Sequence, residues 1–200
     1  MIKKTVLYLV LSLFAGLSYG QTSLKIEESV LKDRNSFYYI DFGQYSKPLR
    51  ELPIGVFDSG TGGLTVLDAL VNFDQFHNAS AKNQPDGKLD FSRENFIYLA
   101  DQANMPYGNY NATHKDNLLK EHIIKDFQFL LSNKYYSSAG DLHPRTDKKQ
   151  VKAIVIACNT ATAYGYAEAE AFLKKTGLDI PVIGVINAAA RGTLSFFDPD

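Results

Sequence analysis

Residues 151–163 read VKAIVIACNTATA, and this stretch decides the expected fold. The apolar run 151–157 is rich in β-branched residues, which is typical of a buried strand, and the Ala-rich part that follows favours a helix. Cys158 would lie at the turn between them, where the first N–H groups of the helix have no intrahelical partners. The partial positive charge of a helix N-terminus favours a thiolate. We therefore expect a strand–turn–helix unit that presents a thiol at the end of its strand.

The composition is that of an ordinary globular protein. The chain has 200 residues, a formal net charge of −1, 45% hydrophobic residues and no Trp. This length suits one domain, and the near-neutral charge argues against nucleic-acid binding. Cys158 is the only cysteine, so the chain cannot form an internal disulfide. Its thiol is then either buried and inert, which is the more frequent state of a free cysteine, or reactive.

The first twenty residues have the three-part pattern of a secretory signal peptide. Lys3 and Lys4 precede the apolar run 6–17, which ends in SYG at 18–20. The run is too short for a transmembrane helix, no later run of ~18 apolar residues occurs, and no cysteine follows it for a lipid anchor. An uncleaved membrane anchor is the alternative. We expect export to the periplasm or the exterior with no stable membrane span after cleavage, an N-terminal extension at 21–52 that packs partly against the domain, and a domain from 53 to 200.

Four apolar segments predict strands, and helical patterns separate them. The strands are expected at 54–57, 96–99, 151–157 and 180–186. The helices are expected from Leu64, over 119–131 after a capping box formed by Thr113 and Asp116, from near Thr160 to Gly177, and over 188–194. The segments 72–94 and 133–150 are polar loops. Strands that alternate with helices form a parallel sheet with right-handed crossovers, so the predicted class is α/β, a flavodoxin- or Rossmann-like three-layer sandwich with flanking helices.

The Gly-rich turn 58–63, DSGTGG, follows the first predicted strand. It does not match the dinucleotide-binding fingerprint, because Thr65 stands where the third Gly is required. It does not match a P-loop either, because no Gly-Lys-Ser/Thr follows. Its glycines are interpreted as residues that permit a tight turn with positive φ.

Ligands of parallel sheets bind beyond the carboxyl ends of the strands. This rule places an acid, hydroxyls, an amide and a thiol along one edge: Asp58 and Ser59, Pro106-Tyr107-Gly108, Cys158-Asn159-Thr160, and Asn187. Taken singly, Asp58 and Thr160 also fit helix caps, and Tyr107 fits a packing role. Their joint occurrence at one edge favours a functional site.

Three of these segments resemble signatures of the glutamate racemases, in the aspartate/glutamate racemase superfamily. They are 54–66 (IGVFDSGTGGLTV), 106–108 (PYG) and 155–163 (VIACNTATA), and 180–186 matches the strand that follows in that family. The similarity spans roughly residues 53–194. It implies one of the two pseudo-symmetric α/β domains of a racemase.

The resemblance implies that glutamate is racemised without a cofactor or a metal, by two cysteines on opposite faces of the α-carbon. Cys158 would be one acid/base, and Asp58 would assist its proton transfers. The amino acid would be held by a set of polar residues and backbone groups: Asp58, Ser59, Pro106, Tyr107, Gly108, Asn159 and Thr160. The resemblance also implies a role in peptidoglycan biosynthesis for the cell wall, through D-glutamate, and a homodimer is one expected assembly.

Two features depart from the family pattern. The family's second cysteine lies in a Gly-Cys-Thr-His segment that these 200 residues do not contain, so we expect a chain truncated before the second domain. The family normally works in the cytoplasm, whereas this chain carries a predicted signal peptide. Two alternatives therefore stay open. One is an exported protein that binds an amino acid or a muropeptide fragment without turning it over. The other is a racemase for aspartate or another amino acid.

Overall fold

The computed structural model describes residues 24–197, which contain a four-stranded parallel sheet flanked by helices. The strands are β1 (Ile54–Asp58), β2 (Phe96–Ala100), β3 (Ala153–Ile156) and β4 (Val182–Gly184). The helices are α1 (Lys25–Leu31), α2 (Leu64–Val71), α3 (Gly108–Ala112), α4 (Asp116–Leu131), α5 (Asn159–Thr176) and α6 (Val185–Phe197), with short 3-10 turns at Phe42–Gln44 and Leu49–Glu51. The predicted α/β class with a parallel sheet is confirmed.

The strands lie in the order β2-β1-β3-β4. The chain runs from β1 to its neighbour on one side, and then passes back to form β3 on the other side. Ile54 of β1 accordingly pairs with Phe96 of β2 and with Ala153 of β3. The boundary between β1 and β3 is the point where the winding reverses direction, and in open α/β sheets ligands bind in the crevice at this point.

One face of the sheet packs against α4 and α5 and forms the main core. Phe57, Ile154 and Ile156 share this face, because alternate residues of paired strands point to the same side. All three side chains are fully buried. The ring of Phe57 meets that of Phe127 in α4 edge to face, with centroids 5.9 Å apart. Burial of each such side chain stabilises the fold by roughly 1.5–3 kcal/mol.

The described part of the N-terminal extension, residues 24–52, is packed onto this core. Val30 of α1 is fully buried within the core cluster. The hydroxyl of Tyr45 donates to the carbonyl oxygen of Val151 at 2.7 Å. The side-chain oxygen of Gln150 accepts hydrogen bonds from the backbone N–H and the hydroxyl of Ser46, at 2.9 and 2.8 Å. The extension therefore shares its core with the sheet domain, and the domain boundary at residue 53 stays a prediction.

Two predicted helix starts are wrong. The N-cap of α4 is Lys115, and the hydroxyl of Thr113 donates instead to the carbonyl oxygen of Asn109, within the preceding helix α3. The fourth strand ends at Gly184 because α6 begins at Val185, so Asn187 lies in a helix and not at a strand end. The apolar run 180–186 did not reveal this boundary, since strand and helix both accept such residues.

The glycines of the turn 58–63 do not adopt positive φ, contrary to the prediction. Within residues 24–197, glycine has a positive φ at Gly87 and Gly177. Gly177 ends α5 in the left-handed conformation, at the residue where the sequence predicted the stop. A need for positive φ therefore does not explain the glycines of this turn.

The predicted signal peptide, residues 1–20, lies outside the described residues. Of the helices between residues 24 and 197, none has both the length and the apolar character needed to cross a membrane.

Candidate active site

The carboxyl ends of β1 and β3 bring Ser59 and Cys158 together. Phe57 pairs with Ile156, and the N–H of Ala157 donates to the carbonyl oxygen of Phe57 at 2.8 Å. The register continues past the strands, so that the hydroxyl oxygen of Ser59 lies 3.5 Å from the sulfur of Cys158. The single cysteine of the chain thus lies beside a serine at the point where the sheet reverses its winding.

Cys158 occupies the N-cap of α5. Its backbone is extended, and its sulfur accepts the N–H of Ala161 at 3.5 Å. The side chain is 6% exposed. A backbone donor and the positive end of a helix both stabilise negative charge on a sulfur. The thiol is therefore buried, and it lies among polar groups and not only among aliphatic ones.

Asp58 is the last residue of β1 and is 7% exposed. Its Oδ2 accepts the N–H of Gly63 at 2.9 Å, and Gly63 is the N-cap residue of α2. Asp58 therefore contacts the N-terminus of α2, in keeping with the helix-capping role that its sequence position also allowed. A carboxylate can accept about four hydrogen bonds, so this contact leaves capacity for others.

Position 63 requires glycine because there is no room for a side chain. A Cβ at this position would lie 2.7 Å from the Cβ of Asp58 and 2.8 Å from the Cβ of Ala157. Both of these atoms are fixed by the sheet, so neither can move away easily. The absence of a side chain at Gly63 lets the turn lie directly over the ends of β1 and β3.

Tyr98 is a site residue that the sequence reasoning missed. Its hydroxyl donates to the carbonyl oxygen of Gly60 at 3.1 Å. Burial, followed by the negative charges of Asp58 and of a Cys158 thiolate, raises the pKa of Tyr98, so the hydroxyl stays protonated beside the site. Tyr98 pairs with Val56, two residues before Asp58, which puts both side chains on one face. The position of Tyr98 near Asp58 can therefore be predicted only when the pairing of β2 with β1 is known.

The segment 106–108 follows β2, on the side of β1 opposite to Cys158. Tyr107 is 1% exposed, and its hydroxyl oxygen lies 2.7 Å from Asp101 Oδ2 and 2.7 Å from Asp126 Oδ2. Its side chain therefore has the packing role considered from the sequence. A contact between Tyr107 and a ligand would come from its backbone, next to the exposed Pro106 and Gly108.

Asn159 and Thr160 form the first turn of α5, directly after Cys158. Asn159 is exposed and Thr160 is half-buried. Thr160 is not the helix cap, since Cys158 occupies that position. Asn187, which the sequence also placed at this edge, lies in α6.

A separate cleft of about 370 Å³ lies beside Pro106. Asn104, Met105, Pro106 and Tyr110 are among the residues that line it, whereas Asp58, Ser59 and Cys158 are not. In the part of the chain that the structure covers, no three His, Cys, Asp or Glu side chains are grouped so that they could hold a metal ion.

Comparison with known proteins finds similarity to glutamate racemases. No family model matches the chain. The chain is 34% identical over 142 residues to the glutamate racemase of Streptococcus equi subsp. equi. The matched residues cover 71% of this chain and 38% of that protein. It is 33% identical over 144 residues to the glutamate racemase of Thermus thermophilus, covering 72% of this chain and 40% of that protein. The chain thus spans about two fifths of the length of these relatives.

Two solved structures are similar to the chain. One is the glutamate racemase of Thermus thermophilus in complex with beta-chloro-D-alanine, with 31% identity, a TM-score of 0.42, and coverage of 72% of this chain and 40% of that one. The other is a glutamate racemase isoform of Bacillus anthracis, with 27% identity, a TM-score of 0.47, and coverage of 72% of this chain and 38% of that one.

Proposed function

Because the chain is related in sequence to the glutamate racemases along about two fifths of their length, we propose that it supplies one half of an amino-acid racemase site. In this proposal Cys158 is one of the two acid/bases that act on the α-carbon of glutamate, which makes the protein an isomerase. The observation that carries the proposal is the position of the Cys158 sulfur, at the N-terminus of α5 and 3.5 Å from the hydroxyl of Ser59.

The proposed step is a proton transfer. The Cys158 thiolate removes the α-proton, so that an S–H bond forms and the C–H bond breaks, and the electron pair passes into the substrate carboxylate. N–H groups of the first turn of α5, with the side chains of Asn159 and Thr160, would stabilise the charge that develops there. A proton delivered to the opposite face of the carbon would complete the inversion.

The positions of the other residues support the roles proposed for them. Asp58 lies at the end of β1, where its buried carboxylate would pair with the substrate ammonium group and assist proton transfer at the thiol. Ser59 would donate to the thiolate or to the substrate, since its hydroxyl faces the sulfur. Pro106, Tyr107 and Gly108 would border the amino acid from the next strand end, with Tyr107 contributing through its backbone.

Deuterium wash-in tests the proposal. One base is sufficient to exchange an α-proton with solvent, whereas inversion requires a second acid on the other face. We therefore expect this chain, incubated with L- or D-glutamate in D₂O, to place deuterium at the α-carbon of at least one enantiomer. Cys158→Ser should abolish that exchange, whereas Ser137→Ala in an exposed loop should not change it. Absence of exchange from both enantiomers by the unmodified chain contradicts the proposal.

The same experiment separates the alternatives. Binding of glutamate or of a muropeptide fragment, measured by calorimetry, without exchange indicates a binding protein. Exchange at the α-carbon of aspartate, but not of glutamate, indicates a racemase for another amino acid. The homodimer is also a proposal, and light scattering of the purified protein measures its mass directly.

We further propose that the chain is exported, on the basis of the pattern in residues 1–20. N-terminal sequencing of the mature protein should then begin near Gln21. A mature protein that retains Lys3 and Lys4 contradicts cleavage.

A further inference from the structure

Asp101, Tyr107 and Asp126 form a buried polar cluster behind the segment 106–108. Asp101 follows β2, Tyr107 precedes α3, and Asp126 belongs to α4. The hydroxyl oxygen of Tyr107 lies 2.7 Å from a carboxylate oxygen of each aspartate. Such distances are those of strong O–H···O hydrogen bonds.

Counting protons shows that this cluster must contain an additional one. A tyrosine hydroxyl carries one proton, so Tyr107 can donate to only one of the two carboxylates. The other oxygen pair, at 2.7 Å, needs a proton of its own, and only the second aspartate can supply it. One of the two acids is therefore neutral.

The surroundings decide which aspartate is the neutral acid. Asp101 is half-buried, and its two oxygens accept the side-chain N–H₂ of Asn104 at 2.8 and 3.0 Å, which suits an anion. Asp126 is 6% exposed and lies on the core side of Tyr107. Burial, followed by the charge of Asp101, raises the pKa of Asp126 well above its usual range.

Between residues 24 and 197, the charged groups around Asp126 do not include a cation that offsets the effect of burial on this acid. The charge of Lys125 lowers the pKa of Asp126, but burial and the charge of Asp101 raise that pKa more. His122 lies one turn earlier, and burial lowers its pKa. Nearby acids are engaged elsewhere: Glu168 of α5 pairs with Lys120 of α4, and Glu121 of α4 accepts the first N–H groups of α1.

We propose that Asp126 is held as a neutral acid that donates to Tyr107, that Tyr107 donates in turn to Asp101, and that this proton-bearing chain positions the segment 106–108 at the edge of the sheet. Asp126 is thus a positioning residue, and it acts through Tyr107. The part of the inference that concerns the segment's use in substrate binding rests on the proposed function, whereas the location of the proton does not.

The pH dependence of stability tests where the proton is. Above the ordinary pKa of an aspartate, the unfolded chain releases the proton of this side chain, whereas the folded protein keeps it on Asp126. The wild type therefore loses stability as pH rises above that ordinary pKa. Asp126→Asn is neutral in both states and retains a donor for Tyr107. The folding equilibrium constant of Asp126→Asn, divided by that of the wild type, should therefore rise about tenfold per pH unit between about pH 5 and pH 7.

A matched control and a direct readout accompany this measurement. Asp147→Asn, at an exposed loop position, should give a ratio that does not change over the same interval. Infrared difference spectra of the wild type minus Asp126→Asn at neutral pH should contain the carbonyl band of a protonated carboxylic acid. A flat ratio for Asp126→Asn, or the absence of that band, overturns the assignment of the proton.

The positioning role has its own readout in the α-proton exchange assay. Asp126→Ala should raise the KM for the amino acid several-fold with a smaller change in kcat, and Asp126→Asn should restore KM. If Asp126→Ala leaves KM unchanged, the positioning role is wrong. If the unmodified chain shows no exchange at all, the proposed function fails, and the stability and infrared measurements still decide whether the neutral acid is present.

Discussion

The hydroxyl oxygen of Ser59 lies 3.5 Å from the sulfur of Cys158, across the boundary between β1 and β3. This pair joins the two strand ends at which the sheet reverses its winding. Neither side chain would be near the other without the pairing of Phe57 with Ile156. The contact therefore depends on the register of the central strands.

Replacement of Ser59 by Ala removes the hydroxyl that faces the sulfur, which in the proposed function donates to the thiolate. A hydrogen bond to a charged group stabilises it by about 1.5–3 kcal/mol, which corresponds to about tenfold or more in rate. We expect Ser59→Ala to slow α-proton exchange by about tenfold while the circular dichroism spectrum stays unchanged. Ser137→Ala is the matched control. An exchange rate equal to that of the wild type means that this hydroxyl does not act on the thiolate.

Gly63→Ala tests the close approach of the turn to the sheet. Its Cβ would lie 2.7 Å from that of Asp58 and 2.8 Å from that of Ala157, and overpacking of this kind typically costs about 1–3 kcal/mol. We expect urea unfolding to show that loss of stability. The control is Gly62→Ala, whose Cβ would meet Asp58 Oδ2 at an ordinary 3.6 Å, so its stability should stay near that of the wild type. Equal unfolding midpoints for the two variants contradict the steric explanation.

Tyr45→Phe tests the attachment of the N-terminal extension. The hydroxyl of Tyr45 donates to the carbonyl oxygen of Val151 within the core, and its removal leaves that acceptor unpaired. Loss of one partner of a buried hydrogen bond costs about 1–3 kcal/mol. Chemical unfolding should detect a decrease of that size, whereas Tyr136→Phe, at an exposed side chain, should have almost no effect. A neutral Tyr45→Phe would show that this bond does not hold the extension.

Lys148 gives the fold a pH dependence of the opposite sign to that of Asp126. Burial lowers the pKa of Lys148 to about 8, and its amino group donates to the carbonyl oxygen of Leu130 at 3.2 Å. Above that pH the folded state loses a proton that the unfolded chain retains up to its ordinary pKa near 10.5. Between these two pKa values the unfolded state binds more protons than the folded state. The contribution of Lys148 to the free energy of unfolding therefore increases as pH rises from about 8 towards 10.5.

Comparison with Lys148→Met isolates this contribution, because methionine does not titrate. The free energy of unfolding of the wild type relative to Lys148→Met should increase between about pH 7.5 and pH 9.5. If the difference in free energy between the two proteins stays constant over this range, burial does not lower the pKa of the Lys148 amino group.

Local patterns were sufficient for some features of the molecule and not for others. The strand that precedes Cys158 and the helix that follows it could be predicted because composition changes sharply at that residue. The left-handed stop at Gly177 could be predicted because glycine accepts that conformation at little cost. The short helix α1 could not, since a helix of seven residues owes its stability to packing and not to its own sequence.

Residues whose roles depend on tertiary contacts were missed. Tyr98 reaches the candidate site only because β2 lies beside β1, and nothing in its own segment indicates that order. Asp126 is one acid among several on α4, and its special position depends on Tyr107 being buried against that helix. Gly63 was expected to supply a backbone angle, whereas in the structure it supplies space.

The separation of the central strands along the chain has a kinetic consequence. β1 and β3 are adjacent in the sheet, yet the side chains they bring together are 99 positions apart in sequence, so a long loop must close before they pair. The accessibility of the one thiol, Cys158, to an alkylating reagent during refolding therefore reports when β1 and β3 pair. The rate at which the thiol becomes protected therefore measures how fast the two central strands pair.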